Sequence, residues 1–249
     1  MPAMKNPEKI LGLADCTLLK PTACEKDIER LVRDAAQFGA YAVCVQPVFA
    51  PSARRIIASE GFSLALSVVA DFPHGSGDGA VRAMQVASFA GKVDEVDIVI
   101  QMEHIKSGRL DLVAQDLNAV VEAAHANGLK IKVIVEAAYL TAAEKPAVFG
   151  LVFKSGADFI KTSTGFADID YARSVGNNYI GADVADVALM RQVGAELGAD
   201  NVGIKAAGMI RSAEKALALF EASGREADPM QYRWGCSSLE PIYRELQRS

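Results

Sequence analysis

The stretch Ala157 to Gly165, Ala-Asp-Phe-Ile-Lys-Thr-Ser-Thr-Gly, has the make-up of a buried strand closed by glycine, yet it carries a lysine in its middle. Removing an ammonium from water is costly unless the group is paired or gives up its proton. A lysine that gives up its proton near neutral pH is an amine nucleophile, able to form a Schiff base with a carbonyl compound. For one isolated lysine the plainer alternative is a strand end from which the amine reaches solvent. Two other stretches bear on that choice. In Glu95-Val96-Asp97-Ile98-Val99-Ile100-Gln101 the bulky Val96, Ile98 and Ile100 share one face, which sends Asp97, Val99 and Gln101 to the other. Likewise Ile204 alternates with Lys205, and Ile160 with Lys161. Period-two logic alone delivers Asp97, Lys161 and Lys205 to one interior.

Two ammonium groups in a confined space repel, and desolvation acts in the same direction, so one of them loses its proton more easily. The neutral amine attacks a carbonyl, while the charged one supplies field and a proton source. The carboxylate holds the second lysine and relays protons through water. The competing reading is a buried Lys–Asp ion pair without catalytic duty. Such pairs do not dependably stabilise a fold, so three ionisable groups in one interior favour function.

The elements that must position these groups alternate regularly. Strand candidates lie near Leu13, Tyr41, Leu64, Glu95, Lys130, Ala157, Asn201 and Tyr232, each followed by a helical pattern. Glu25 to Phe38 is typical, with Ile28, Leu31, Val32 and Ala35 on one face and Gly39 ending it. β-then-α alternation implies a parallel sheet with helical crossovers. Eight units in 249 residues match an α/β fold of the closed (β/α)8 TIM-barrel type, one domain over residues 1–249 with 1–12 as an N-terminal extension and helix. A doubly wound open sheet is the alternative, but no G-x-G-x-x-G follows the first strand. In such a barrel the site lies at the carboxyl ends of the strands. There Gly208 with Arg211, and Gly235 with Ser237 and Ser238 before a helix start, suit phosphate capture. Ordinary turn glycines and N-cap serines would look the same.

Composition narrows the partners. A formal charge of −5 without a basic stripe argues against nucleic acid or an acidic membrane, and 51% hydrophobic residues suit a packed globule. No apolar run reaches the roughly 18 residues of a membrane span. Cys16, Cys24, Cys44 and Cys236 are scattered without C-x-x-C pairs and read as reduced thiols of a cytoplasmic protein. Cys44 reads as a small core residue and Cys16 as closer to the expected pocket. His74, His104 and His125 lack metal-ligand spacing, so no metal site is expected.

At these residues the chain resembles the deoxyribose-phosphate aldolases, class I Schiff-base aldolases. The resemblance runs from about Leu13 to Ser238. It is carried by Asp158-Phe159-Ile160-Lys161-Thr162-Ser163-Thr164-Gly165-Phe166, Val202-Gly203-Ile204-Lys205-Ala206, Asp94-Glu95-Val96-Asp97, Lys106-Ser107-Gly108 and Thr17-Leu18-Leu19-Lys20-Pro21. It implies a (β/α)8 barrel in which Lys161 forms the imine, Lys205 lowers its pKa and Asp97 takes part in proton transfer. Asp15 and Thr17 would lie near substrate hydroxyls, with Thr162 and Gly165 as further substrate contacts. The implied reaction is reversible cleavage of 2-deoxyribose 5-phosphate to acetaldehyde and glyceraldehyde 3-phosphate, without metal or organic cofactor. The implied partners are a small aldehyde or sugar-phosphate substrate and further copies of the chain, as a dimer or tetramer. Met209 stands where the family usually has a glycine, Leu239 follows Ser238 where glycine is common, and Ala167 to Gly181 is longer than the usual loop. These departures bear on substrate rather than on imine chemistry. An aldolase of the same mechanism with an unphosphorylated acceptor, and a non-catalytic sugar-phosphate-binding barrel, stay open as alternatives.

Overall fold

Eight short runs of small and β-branched residues become strands: β1 Ala14–Leu18, β2 Ala42–Val45, β3 Ala65–Ala70, β4 Glu95–Val99, β5 Lys130–Ile134, β6 Phe159–Lys161, β7 Gly203–Ala206 and β8 Tyr232–Cys236. In the computed structural model, which describes residues 7–248, they pair in chain order, and β8 closes onto β1. Every pairing is parallel. Residues 1–6 of the expected N-terminal extension lie outside the described residues. Around the barrel run α1 Glu25–Gln37, α2 Ala50–Ser59, α3 Gly79–Ala87, α4 Met102–Lys106, α5 Leu110–Ala126, α6 Glu144–Lys154, α7 Ile169–Ser174, α8 Val184–Glu196, α9 Ala213–Ser223 and α10 Glu240–Leu246. Side-chain caps start several of them: Asp78, Asp183 and Ser212 accept backbone N–H groups in the first turns of α3, α8 and α9. Among the described residues no helix is long and apolar enough to cross a membrane.

Burial follows the alternation of the strands. Val96, Ile98, Ile131, Val133, Ile160 and Ile204 pack into the layer beneath the helices. Cys16 joins that layer, because Asp15 takes the inward position beside it. The expectation that Cys16 approaches the pocket is therefore corrected. The interior is closed below by Phe159, whose ring occupies the space a Cβ on Gly203 would need, 2.3 Å away. The Arg233 guanidinium stacks over Tyr41 at 4.0 Å, with Phe159 at 5.2 Å.

Three boundaries differ from the sequence reading. Strand β4 ends at Val99, so Gln101 does not point into the barrel; its amide donates to the Gly77 carbonyl at 2.9 Å. The chain turns there into α4, a single short turn too brief to show helical periodicity. Only Phe159–Lys161 of the apolar run is strand, and Thr162 to Gly165 rises over the barrel mouth. The polar 167–181 segment contains α7 and is strapped down: Asn177 donates to the carbonyls of Ala138 and Leu140, and Tyr171 meets Tyr139 edge-on.

Candidate active site

Asp97 sits at the centre of the barrel with no exposed surface. Its Oδ1 accepts from Lys132 at 2.7 Å and from Ser67 at 3.0 Å, and its Oδ2 from Lys161 at 2.6 Å and Lys205 at 3.0 Å. The network continues downward. Lys205 meets Asp15 at 2.5 Å, Lys132 meets Glu95 at 2.6 Å, and Arg233 bridges Asp15 at 3.0 Å and Glu95 at 2.5 Å. Four cations thus face three carboxylates, all nearly water-free. A surplus positive charge in a low-dielectric interior is expensive, and the cheapest remedy is to release a proton.

The charges indicate which cation holds its proton least firmly. Burial lowers the pKa of Lys161; Asp97 opposes this, and the Lys205 charge adds to the lowering, leaving the group below an ordinary lysine. Burial would likewise lower Lys205, but Asp15 and Asp97 together raise it above an ordinary lysine. Lys132, against Asp97 and Glu95, also ends raised. Burial pushes Asp97 up, yet Lys132, Lys161 and Lys205 overcome it and hold the carboxyl well below its usual range. Lys161 is the exception because its one carboxylate is shared three ways. The arrangement supplies an amine that holds its proton less firmly than an ordinary lysine, beside an ammonium that holds its own more firmly and a carboxylate.

Above Lys161 lies a cavity of about 280 Å³. Lys161, Lys205, Thr17, Gly165, Gly208, Arg211, Gly235 and Ser237 line it, so the structure brings these expected residues together. Three others fall elsewhere. Asp15 is fully buried under Lys205 and Arg233 rather than on the cavity wall, because it balances their charges. Thr162 is buried, with its hydroxyl donating to the Ala207 carbonyl at 3.1 Å and accepting the Ala207 amide at 3.0 Å, which ties β6 to β7. Ser238 is exposed and lies outside the cavity lining.

Several residues escaped the sequence reading. Lys132 lies between Ile131 and Val133, and Arg233 between Tyr232 and Trp234, so the alternation that found Lys161 also pointed to them. Glu95 needed only the step of two back from Asp97. Lys20 joins the cavity from the loop after β1. Glu136 had no local signal: it is 3% exposed, with a left-handed backbone at φ 43°. Its Oε2 accepts from the Thr164 amide at 3.1 Å and from the Thr164 hydroxyl. Burial raises its pKa, although the Thr164 hydrogen bonds and the Lys161 charge pull the other way.

Met209 has a left-handed backbone, at φ 60°, and is 45% exposed. An L side chain there is strained by roughly 1 kcal/mol. Met209→Gly is accordingly expected to stabilise the chain by about 0.5–1 kcal/mol in urea denaturation; a lower midpoint would contradict the strain.

Comparison with known proteins agrees with this geometry. Residues 13–227 match the model of the DeoC/LacD family aldolases. A deoxyribose-phosphate aldolase of Thermoplasma volcanium is 38% identical over 240 residues, 96% of this chain and 95% of the relative. One from Streptococcus pneumoniae is 42% identical over 216 residues, 86% of this chain and 89% of the relative. Among solved structures, the tetrameric deoxyribose phosphate aldolase of Aeropyrum pernix superposes with a TM-score of 0.75 at 25% identity, covering 98% of this chain and 94% of that one. The closed barrel, its buried lysine pair and this similarity agree: the chain belongs to the DeoC/LacD family of aldolases.

Proposed function

We propose that the chain reversibly cleaves 2-deoxy-D-ribose 5-phosphate to acetaldehyde and D-glyceraldehyde 3-phosphate through a Schiff base on Lys161. The observation that carries this reading is a lysine lowered in pKa by burial and by Lys205, open to a cavity and 2.6 Å from Asp97. The amine adds to the aldehyde carbon of the open-chain sugar, and loss of water leaves an iminium. A base takes the proton from the C3 hydroxyl, the C2–C3 bond breaks, and its electron pair moves to the iminium nitrogen to give an enamine. Glyceraldehyde 3-phosphate departs; protonation at C2 and hydrolysis release acetaldehyde and restore the amine. The nitrogen is itself the electron sink, so the scheme calls on no metal or organic cofactor. Lys205 stays cationic and Asp97 anionic throughout, which makes them a field source and an anchor for relaying water.

Lys20, Arg211 and the backbone around Gly208, Gly235 and Ser237 supply the positive rim for the 5-phosphate. Met209 favours the second reading, an acceptor without phosphate, because its side chain stands on that rim. Exposed Val81 and Met84 on α3, and the tetrameric Aeropyrum relative, support a homo-oligomer, dimer or tetramer, and four free cysteines support work in the cytoplasm.

Borohydride reduction with acetaldehyde, followed by peptide mapping, tests the imine. A reduced adduct is expected on Lys161, absent in Lys161→Ala and weakened in Lys205→Leu; an unmodified Lys161 peptide would favour a non-catalytic binding barrel. Cleavage of deoxyribose with and without the 5-phosphate tests the rim. Two charge-assisted hydrogen bonds predict a kcat/KM roughly 10²-fold higher or more for the phosphorylated sugar. Equal rates would establish the unphosphorylated reading.

A further inference from the structure

Beside its lysines, the Lys161 pocket is bounded by the turn Thr164-Gly165-Phe166, all of which line it. The turn lies past the end of β6, and a single side chain gathers its hydrogen bonds. The Thr164 amide donates to Glu136 Oε2 at 3.1 Å, and the Thr164 hydroxyl donates to the same oxygen. That hydroxyl in turn accepts the Phe166 amide at 2.9 Å, and Phe72 braces the Phe166 ring edge-on at 5.4 Å between centres.

The backbone on either side of Glu136 is tied to the same strand end. The Val135 amide donates to the Lys161 carbonyl and the Ala137 amide to the Thr162 carbonyl, each at 2.9 Å. Between them Glu136 takes a left-handed backbone, at φ 43°, and its carboxyl group reaches Thr164, 28 positions away in the chain. Fold stability alone would not choose this residue. Glycine takes that conformation freely, and burying a carboxyl group, here 3% exposed, is unfavourable in itself. Backbone strain of this kind persists where it holds functional groups in place.

We propose that Glu136 is a positioning residue of the aldolase reaction: through Thr164 it fixes the Thr164–Phe166 turn as a rigid wall of the Lys161 pocket. The role rests on the aldolase reading and deepens it. Glu136 is not part of the pocket lining, so it acts on the substrate only through the turn. A sugar phosphate that runs from Lys161 to the Arg211 rim passes this wall, whereas acetaldehyde needs only the Lys161 end. Loosening the turn therefore misplaces the long substrate and leaves the amine itself unchanged.

Glu136→Gly tests this, since it removes the carboxyl group and suits the left-handed backbone, so the fold should be kept. Its kcat/KM for cleavage of 2-deoxyribose 5-phosphate is expected to fall about 30-fold or more, with borohydride trapping of acetaldehyde on Lys161 within about twofold of wild type. Glu136→Gln keeps an oxygen for both Thr164 donors and should restore cleavage to within about fivefold. Thr164→Val cuts the same link from its other end. It should lower kcat/KM as well, and the double variant Glu136→Gly/Thr164→Val should fall less than the product of the two single losses. A glutamate that serves stability alone predicts a shifted urea midpoint with unchanged kcat/KM per folded molecule. Unchanged cleavage in Glu136→Gly, trapping lost in parallel with cleavage, or fully multiplicative losses in the double variant would overturn the proposal. Should Glu136→Gly fail to fold, Thr164→Val decides: unchanged cleavage there overturns the role. A wild-type chain that neither traps nor cleaves sinks the aldolase reading and this role together; an active wild type with an indifferent Glu136→Gly sinks the role alone.

Discussion

Lys161→Ala is expected to lower carbon–carbon cleavage by roughly 10⁴- to 10⁶-fold, the loss typical of removing an attacking nucleophile. The fold should survive. Without Lys161 the interior holds Lys132, Lys205 and Arg233 against Asp15, Glu95 and Asp97, so no buried charge is left without a partner. The lowered pKa of Lys161 marks a cost of keeping that amine in the folded interior, and its removal offsets the packing lost with the aliphatic stem, so the net change in unfolding free energy should stay within about 1 kcal/mol. Steady-state cleavage and a urea melt on the same preparation check both halves. A variant that keeps a tenth of wild-type turnover would show that another group forms the covalent bond. One that loses activity because it unfolds would leave the electrostatic balance unsupported.

Asp97→Asn should show the reverse pattern, with stability falling along with activity. The side chain keeps its shape but loses the charge that three lysines share at 2.6 to 3.0 Å. Breaking a buried pair by removing one partner costs about 3–5 kcal/mol, because the remaining charges stay buried without compensation. The sign of the pH dependence follows. In the wild type the folded pKa of Asp97 lies below the ordinary 3.8, so its stabilisation is present above that value and is lost as pH falls through the folded pKa. In Asp97→Asn Lys132 keeps Glu95 and Lys205 keeps Asp15, but Lys161 loses its one carboxylate, and its folded pKa, already below the ordinary 10.5, drops further. The unfolded chain then binds more protons over that interval, so the deficit should shrink as pH rises towards 10. Denaturation midpoints measured from neutral to alkaline pH test this. A deficit that stays constant or grows would mean the lysines were not held by Asp97. Cleavage should fall about 10²- to 10⁴-fold, as for loss of the group that anchors the water relaying protons.

The barrel was legible because its signals are local. Alternation at period two marked the inward faces, and strand-helix repetition required a parallel sheet. The same alternation carried Asp97, Lys161 and Lys205 to one interior, where they meet within hydrogen-bonding distance. It held equally for Lys132 and Arg233, whose charges went unread because lysines and arginines near strand ends usually reach water. Asp15 was placed near the substrate hydroxyls by the resemblance; in the fold it is fully buried and paired with Lys205 and Arg233.

What the sequence by itself determined was which side chains face the axis of the barrel, since that depends only on parity along each strand. Only the tertiary structure decided how their charges are divided, because pKa depends on distances across strands far apart in the chain. Asp97 and Lys205 are separated by 108 positions, and Asp15 and Arg233 by 218. It also decided that Lys161, left with a shared carboxylate and the burden of burial, is the lysine whose proton is most weakly held.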